Sequence, residues 1–316
     1  MTPPRNSVDI WLACFNHPGV MQIIPLLEKR MRLGESIIWD DKSHVLYWVD
    51  VGYPSKIWRF DEARKTSHSI PYDGLIGCVA LTHIDDTLLV LTSNGLKLCH
   101  FPSGRIEHFL DVEPEFPTNI CNDCGVDDRG RLWFGTMENN LAPDNTDLPI
   151  GKKGGLYKLS KKTLTRHESG LGIPNTMLWS PDNRSFYLAD SFESTLFRYD
   201  YDGETIANKT VFAKSSTAGC PDGSTMDCSG NLWNCRWGDA AIFVFAPSGK
   251  IVQTIPVPAS QVTSCTFGGP NMTTLYITTA RHTMTSAEEA QYPLAGTVFK
   301  LETGVRGTTR GRVRID

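Results

Sequence analysis

One pattern constrains this chain more than any other. A turn rich in Asp, Gly, Asn or Ser followed by a five-residue hydrophobic strand occurs six times, each time with a second strand further on. The first strands read LYWVD from Leu46, LLVLT from Leu88, LWFGT from Leu132, FYLAD from Phe186, LWNCR from Leu232 and LYITT from Leu275, with starts 42, 44, 54, 46 and 43 residues apart. The partner strands follow in the same order as IWRFD, LKLCH, LYKLS, LFRYD, IFVFA and VFKLE. A unit of this size made of short strands cannot bury its faces alone, but arranged around an axis each small sheet covers the next and closure protects the edges. The pattern predicts an all-β chain, a six-bladed β-propeller of four-stranded antiparallel blades. A β-sandwich also repeats its strands, but it has no reason to return the same residue types to the same offset six times. Pro and Gly punctuate almost every window that could be helical.

At 316 residues, with no Pro/Gly/Ser linker, the chain reads as one domain. The propeller is expected over residues 32–302. Residues 1–31 form an N-terminal extension that packs on or completes the last blade, and residues 303–316 form a basic, solvated C-terminal tail. A net charge of −4 and a pI near 6.1 leave no basic field for nucleic acid or an anionic membrane. The early apolar stretch is broken by Asn16, His17, Pro18 and Gly19 and preceded by a single basic residue, Arg5, so it reads as neither signal peptide nor membrane span. The nine cysteines are odd in number and scattered through apolar strands, which points to reduced thiols and a cytoplasmic location. The close pair Cys121 and Cys124 has no second pair to complete a zinc site and reads as structural. A monomer or small homo-oligomer is expected.

In a propeller the strand before each turn lies nearest the axis, so residues facing the channel can be counted. Glu35 and Asn175 stand eleven residues before Leu46 and Phe186, while Asn122 and Asp222 stand ten before Leu132 and Leu232. Cys78 and Cys265 occupy the ten-residue offset in the two other blades. Two carboxylates and two amides converging on an axis suit a hard divalent ion such as Ca²⁺, Mg²⁺ or Mn²⁺. A hydrated channel with a hydrogen-bonded rim is the alternative.

The segments around these positions carry a resemblance. GESIIWDDKSHVLYWVD, NDCGVDDRGRLWFGTM, IPNTMLWSPDNRSFYLAD, CPDGSTMDCSGNLWNCRWG and TSCTFGGPNMTTLYITTAR resemble the successive blade motifs of the SMP-30/gluconolactonase/luciferin-regenerating-enzyme family, over about Leu33 to Leu301. The resemblance implies a six-bladed propeller holding one divalent cation (Ca²⁺, Zn²⁺, Mn²⁺, Mg²⁺ or Fe²⁺) through Glu35, Asn175 and Asp222. It also implies hydrolysis of a sugar lactone, with Asp222 activating water and Asn122 beside the metal and substrate. Asp123, Glu138 and Arg236 are further candidates for binding substrate. No G-x-S-x-G elbow or H-E-x-x-H motif supplies another mechanism.

Some positions depart from the family pattern. Ile120 stands where many members have Arg, Cys124 replaces a Gly, and Asn140 stands where some have an acid. The insert over residues 138–154 is either a lid or a plain surface loop. A promiscuous, paraoxonase-like esterase or phosphotriesterase, and a non-catalytic calcium-binding propeller, remain the other functions open to such a fold.

Overall fold

The computed structural model describes residues 22–316; the part of the N-terminal reading that falls on residues 1–21 lies outside them. β1 (Ile23–Arg30) is followed by four antiparallel sheets of four strands each. The first comprises β2 (Gly34–Asp40), β3 (Val45–Asp50), β4 (Ser55–Asp61) and β5 (Thr66–Tyr72). The second comprises β6 (Ile76–Leu81), β7 (Thr87–Thr92), β8 (Gly95–His100) and β9 (Arg105–Leu110). The third comprises β10 (Asn119–Val126), β11 (Leu132–Glu138), β12 (Gly154–Ser160) and β13 (Thr163–Leu171). The fourth comprises β14 (Pro174–Trp179), β15 (Ser185–Asp190), β16 (Thr195–Tyr201) and β17 (Ile206–Lys214).

β18 (Cys220–Met226), β19 (Leu232–Trp237), β20 (Ala241–Phe245), β21 (Ile251–Pro256), β22 (Gln261–Gly268), β23 (Thr274–Ala280) and β24 (Thr297–Glu302) join β1 in one eight-stranded sheet. Its two halves, β18 to β21 and β22 to β24 with β1, are linked through a single residue pair, Trp237 with Gln261. β1 runs antiparallel to β24, with Ile23 opposite Leu301. The fold is all-β and propeller-like, with four-stranded antiparallel blades. The innermost strands follow one another around the axis: β2 touches β6, β6 touches β10, and so on through β14, β18 and β22, which packs back against β2.

The repeated turn has a physical reason that two blades show in full. In Asp127-Asp128-Arg129-Gly130, Asp127 Oδ1 accepts from the N–H groups of Arg129 and Arg131 at 3.0 and 2.9 Å, and its Oδ2 accepts from the indole of Trp133 at 3.0 Å. Asp227 repeats this with Ser229, Asn231 and Trp233, at 2.9, 2.9 and 3.1 Å. Gly130 and Gly230 adopt positive φ, 76° and 82°, which closes each turn without a Cβ clash. One carboxylate thus fixes the hairpin and satisfies the polar edge of a fully buried tryptophan. Among the described residues one short α-helix, Ser286–Gln291, starts from a Thr285/Glu288 capping box. Among the described residues no helix is long and apolar enough to cross a membrane, and the eight described cysteines are free.

The solvated-tail reading is corrected. Val313 is fully buried, pairs with Thr82 and exchanges backbone hydrogen bonds with Leu81 and His83. Gly307 bridges to Asp227, Arg310 Nη2 donates to Ser224 O at 2.6 Å, and Arg312 Nη2 donates to Asp40 and Asp41 at 2.5 and 2.7 Å. Two of the four arginines in this cationic run, Arg310 and Arg312, are therefore donors to a blade carbonyl and to turn carboxylates. The tail is a strap that crosses from the β18–β19 turn to β6.

Candidate active site

Each innermost strand carries a register shift where it passes the axis, in β2 between Glu35 and Ile38, in β10 between Cys121 and Cys124, in β14 between Asn175 and Leu178, and in β18 between Pro221 and Ser224. A bulge re-aims the side chain beside it. Here it turns Glu35, Asn122, Asn175 and Asp222 into one cavity of about 380 Å³. Ser36 and Thr176, each following a cavity residue, have positive φ of 54° and 56°. For the β-branched Thr176 this is a strained backbone, of the kind held in place by surrounding bonds at functional sites. Its Oγ1 donates to Asp222 O at 2.5 Å, and its N–H donates to Asp123 Oδ2 at 2.8 Å.

The two thiols counted into the ring do not face the cavity. Cys78 and Cys265 are fully buried in the hydrophobic cores between blades. In β6 the register shift between Ile76 and Cys78 brings Gly77 to the cavity instead. A Cβ on Gly77 would lie 2.0 Å from Cys121 O, so the close approach of β6 and β10 excludes any side chain there.

Three other candidates are placed elsewhere. Asp123 faces away from the cavity residues, its Oδ1 accepting from Cys124 N–H and its Oδ2 from Thr176 N–H at 2.8 Å each, as neighbours along a strand point to opposite sides. Glu138 accepts from Gly151 N–H at 2.6 Å and pairs with Lys153 at 2.5 Å, closing the base of the 138–154 insert. Arg236 is buried under the 215–219 loop, donating to Gly219 O at 3.0 Å and Asp239 at 3.1 Å, with Ser215 as a further partner. None of the three lines the cavity. Their local partners outcompete any ligand role.

The electrostatics of the cavity floor are those of crowded acids. Burial pushes Glu35 well above the usual carboxylate range, and the charges of Asp222 and Asp123 push it further, against a hydrogen bond from Ser36 N–H. Asp222 is raised by burial and then by Asp123, opposed by Gly223 N–H and Arg236. Among the described residues neither carboxylate has a Lys, Arg or His ion-pair partner. Asn175 Nδ2 is fixed on Ser191 Oγ at 2.9 Å, which leaves its Oδ1 beside Asn122 Nδ2 at 3.0 Å and directed to the same space. No group of three or more His, Cys, Asp or Glu among the described residues is gathered to hold an ion. An ion here would therefore need the amide oxygen as well as the two carboxylates, an oxygen set that fits a hard divalent cation.

The insert covers this floor, so of its two readings the lid is the one the geometry matches. Asn140, Leu141, Asp147, Leu148 and Ile150 all line the cavity. Asp147 bonds His282 at 2.6 Å, Asn145 Oδ1 accepts from Tyr53 N–H at 2.9 Å, and Lys152 pairs with Glu193. Ser191, Trp237, Gln261 and His282 also belong to the site and escape the counting of offsets. They sit on connections and strand ends, where no repeat marks them; the one local signal is the D-S dipeptide after FYLAD, which places Ser191 beside Asn175.

Comparison with known proteins places the chain in a family. The family described as SMP-30/Gluconolactonase/LRE-like region matches residues 33–281. L-arabinolactonase of Azospirillum brasilense is 32% identical over 301 residues, covering 94% of this chain and 96% of that protein. A luciferin-regenerating enzyme structure superposes with a TM-score of 0.85 at 28% identity, covering 93% of this chain and 99% of that one. The structure of a calcium-binding protein, regucalcin, from Agrobacterium tumefaciens gives a TM-score of 0.84 at 26% identity, covering 92% and 96%. With most of its length matched by the family, and Glu35, Asn122, Asn175 and Asp222 inside the match, the chain belongs to the SMP-30/gluconolactonase/LRE-like family.

Proposed function

We propose that the protein is a lactonase that opens a sugar lactone to its open-chain acid, on a six-bladed propeller with one divalent cation at the cavity floor. Six blades follow if the eight-stranded sheet is divided at its single Trp237–Gln261 link. The observation that carries the function is the meeting of two unpaired carboxylates, Glu35 and Asp222, with the oriented Asn175 oxygen beneath a lid. The named relative L-arabinolactonase supports the substrate class.

Glu35, Asn175 and Asp222 would hold the ion. When bound, it supplies Lewis-acid polarisation of the lactone carbonyl and stabilises negative charge on that oxygen. Asn122, its amide fixed by Pro174 O and Asn175, presents Oδ1 to a substrate hydroxyl. Asp222 is the base: it takes a proton from water as the water oxygen bonds to the carbonyl carbon. The ring C–O bond then breaks, the leaving ring oxygen takes up that proton, and the acid product is left with its new hydroxyl. The lid excludes bulk water while the substrate is bound.

The test is acid release from a panel of aldono-1,4- and 1,5-lactones by EDTA-treated protein, with and without each divalent ion restored. Metal-dependent turnover of an aldonolactone is expected. Hydrolysis confined to aryl esters or phosphotriesters would favour the paraoxonase-like alternative, and ion binding without turnover of anything would favour a scaffold.

A further inference from the structure

The cavity is polar at its floor, along one flank and at two lid residues, Asn140 and Asp147. Side chains alternate along a strand, so the residue two before a floor residue lies on the same face, one tier nearer the lid. Those residues are Leu33 before Glu35, Ile120 before Asn122 and Ile173 before Asn175, and Leu75 stands two before Gly77. From β2 through β14 the upper tier is thus hydrocarbon. The lid faces it with Leu141, Leu148 and Ile150.

Most polar groups around this tier are already committed. Gln261 accepts from His282 N–H and donates to His282 O, both at 2.8 Å. Ser191 Oγ accepts from Asn175 and donates to Pro221 O. Both Nδ2 hydrogens of Asn122 are taken, by Pro174 O and Asn175 Oδ1. Among the described residues, the polar groups of the upper cavity with capacity to spare are the amide of Asn140, the indole N–H of Trp237, the Thr283 hydroxyl, the second oxygen of Asp147, the Cys220 thiol and one amide hydrogen of Gln261, the last two also outside the aliphatic tier of β2 to β14. Trp237 and Thr283 stand on the β19 and β23 side, opposite the aliphatic tier.

We infer that the substrate is a deoxy-aldonolactone, a sugar lactone that turns its carbonyl and ring hydroxyls to the floor and the Trp237 flank and a terminal methyl into the tier of Leu33, Leu75, Ile120 and Ile173. This rests on the lactonase reading and narrows it. A terminal hydroxymethyl pointed at that tier would lose its water and find no partner, whereas a methyl there gains from burial. The side facing Asn140 and Asp147 can still satisfy ring hydroxyls. The reaction is the same hydrolysis, and the methyl takes no part in it.

Matched lactones test the inference. L-Rhamnono-1,4-lactone differs from L-mannono-1,4-lactone, and L-fucono-1,4-lactone from L-galactono-1,4-lactone, by the terminal hydroxyl alone. The metal-loaded full-length protein should favour the deoxy member by roughly tenfold or more in kcat/KM in any pair it hydrolyses. The double variant Ile120→Asn, Leu148→Asn should bring that ratio close to one. Equal or reversed preference in every hydrolysed pair overturns the inference and leaves the lactonase reading intact, as does turnover of D-glucono-1,5-lactone or L-arabinono-1,4-lactone with neither pair hydrolysed. If no lactone is opened under any metal condition, both fall together.

Discussion

Asp147 and His282 stand 135 residues apart in the chain and meet at 2.6 Å, the lid carboxylate accepting from the imidazole Nε2–H. The other ring nitrogen fixes this direction. Arg32 Nη1 lies 2.9 Å from His282 Nδ1, and a guanidinium has no acceptor, so Nδ1 must accept and Nε2 must carry the proton. The same Arg32 nitrogen donates to Asn145 O at 3.2 Å. One arginine therefore touches both the lid backbone and the imidazole that holds the lid carboxylate.

Asp147→Ala should loosen the lid without unfolding the ring, because the Asp147 side chain is largely exposed and contributes little to the core. KM for the preferred lactone is expected to rise several-fold with a smaller change in kcat, and proteolytic nicking within residues 139–153 should quicken. Unchanged KM together with unchanged nicking would mean that the insert is held by Asn145 and Lys152 alone.

Gly77→Ala should cost more than most substitutions on this surface. The added methyl would lie 2.0 Å from Cys121 O and 2.8 Å from Asn122 O, both backbone atoms that cannot move without displacing β10. A loss of about 1–3 kcal/mol is expected from such overpacking, read as a lower urea midpoint, together with reduced turnover as Asn122 shifts. A variant of normal stability and rate would show that the two strands have slack at the axis.

The C-terminal strap should be sensitive to acid. Burial would raise Asp40, but the hydrogen bonds and charge of Arg312, with Ser43 and Lys42 N–H, outweigh it and hold the carboxyl below its usual value. A depressed folded-state pKa contributes stability that is present above the unfolded value, about 4, and is lost as pH falls through the folded value. The wild type should therefore lose strap anchoring below about pH 4, and Arg312→Ala should remove that part of the acid dependence. Measuring the urea midpoint of both proteins from pH 7 to 3 isolates what Arg312 contributes through Asp40 and Asp41 together, since every other carboxylate keeps its partners. Val313→Ala, at a fully buried site, should cost about 1–3 kcal/mol at neutral pH.

Much of this was legible in the sequence because the fold is periodic. Strand pairs at near-constant spacing marked the four-stranded blades, and offsets of ten and eleven residues found four of the cavity residues. The ten-residue offset that found Asn122 and Asp222 failed at Cys78, where the register shift between Ile76 and Cys78 brings Gly77 to the cavity against Cys121 O, and at Cys265, which lies in a core between blades. Asp123 and Arg236 failed for a related reason: adjacency to a motif does not say which side of a strand faces the axis. The lid and His282 lie in unrepeated connections, where no periodicity reports. The strap was misread since a basic tail looks solvated until its carbonyl and carboxylate acceptors, Ser224 O and Asp40, are in view.

The last prediction separates two carboxylates that share a floor but not a role. Glu35 and Asp222 come from β2 and β18, and each is raised by burial and by neighbouring acid charge, so without a cation each is pushed toward its neutral, protonated form and a bound cation would favour the charged one. Glu35→Gln keeps the shape and removes a charge. It should weaken the affinity for added divalent ion, read by titration calorimetry, and excess ion should restore much of the turnover. Asp222→Asn removes the proton acceptor as well, so turnover should fall by roughly 10²–10⁴ and stay low at saturating ion. Both variants should remain folded without metal, since the side chains line a cavity and not a blade core; the ion-free proteins should differ from the loaded ones only by the stabilisation that binding adds. Recovery of Asp222→Asn by excess ion would reduce Asp222 to a ligand and leave the base to be found elsewhere. Unchanged ion affinity in both variants would leave the four floor residues as the rim of a hydrated channel.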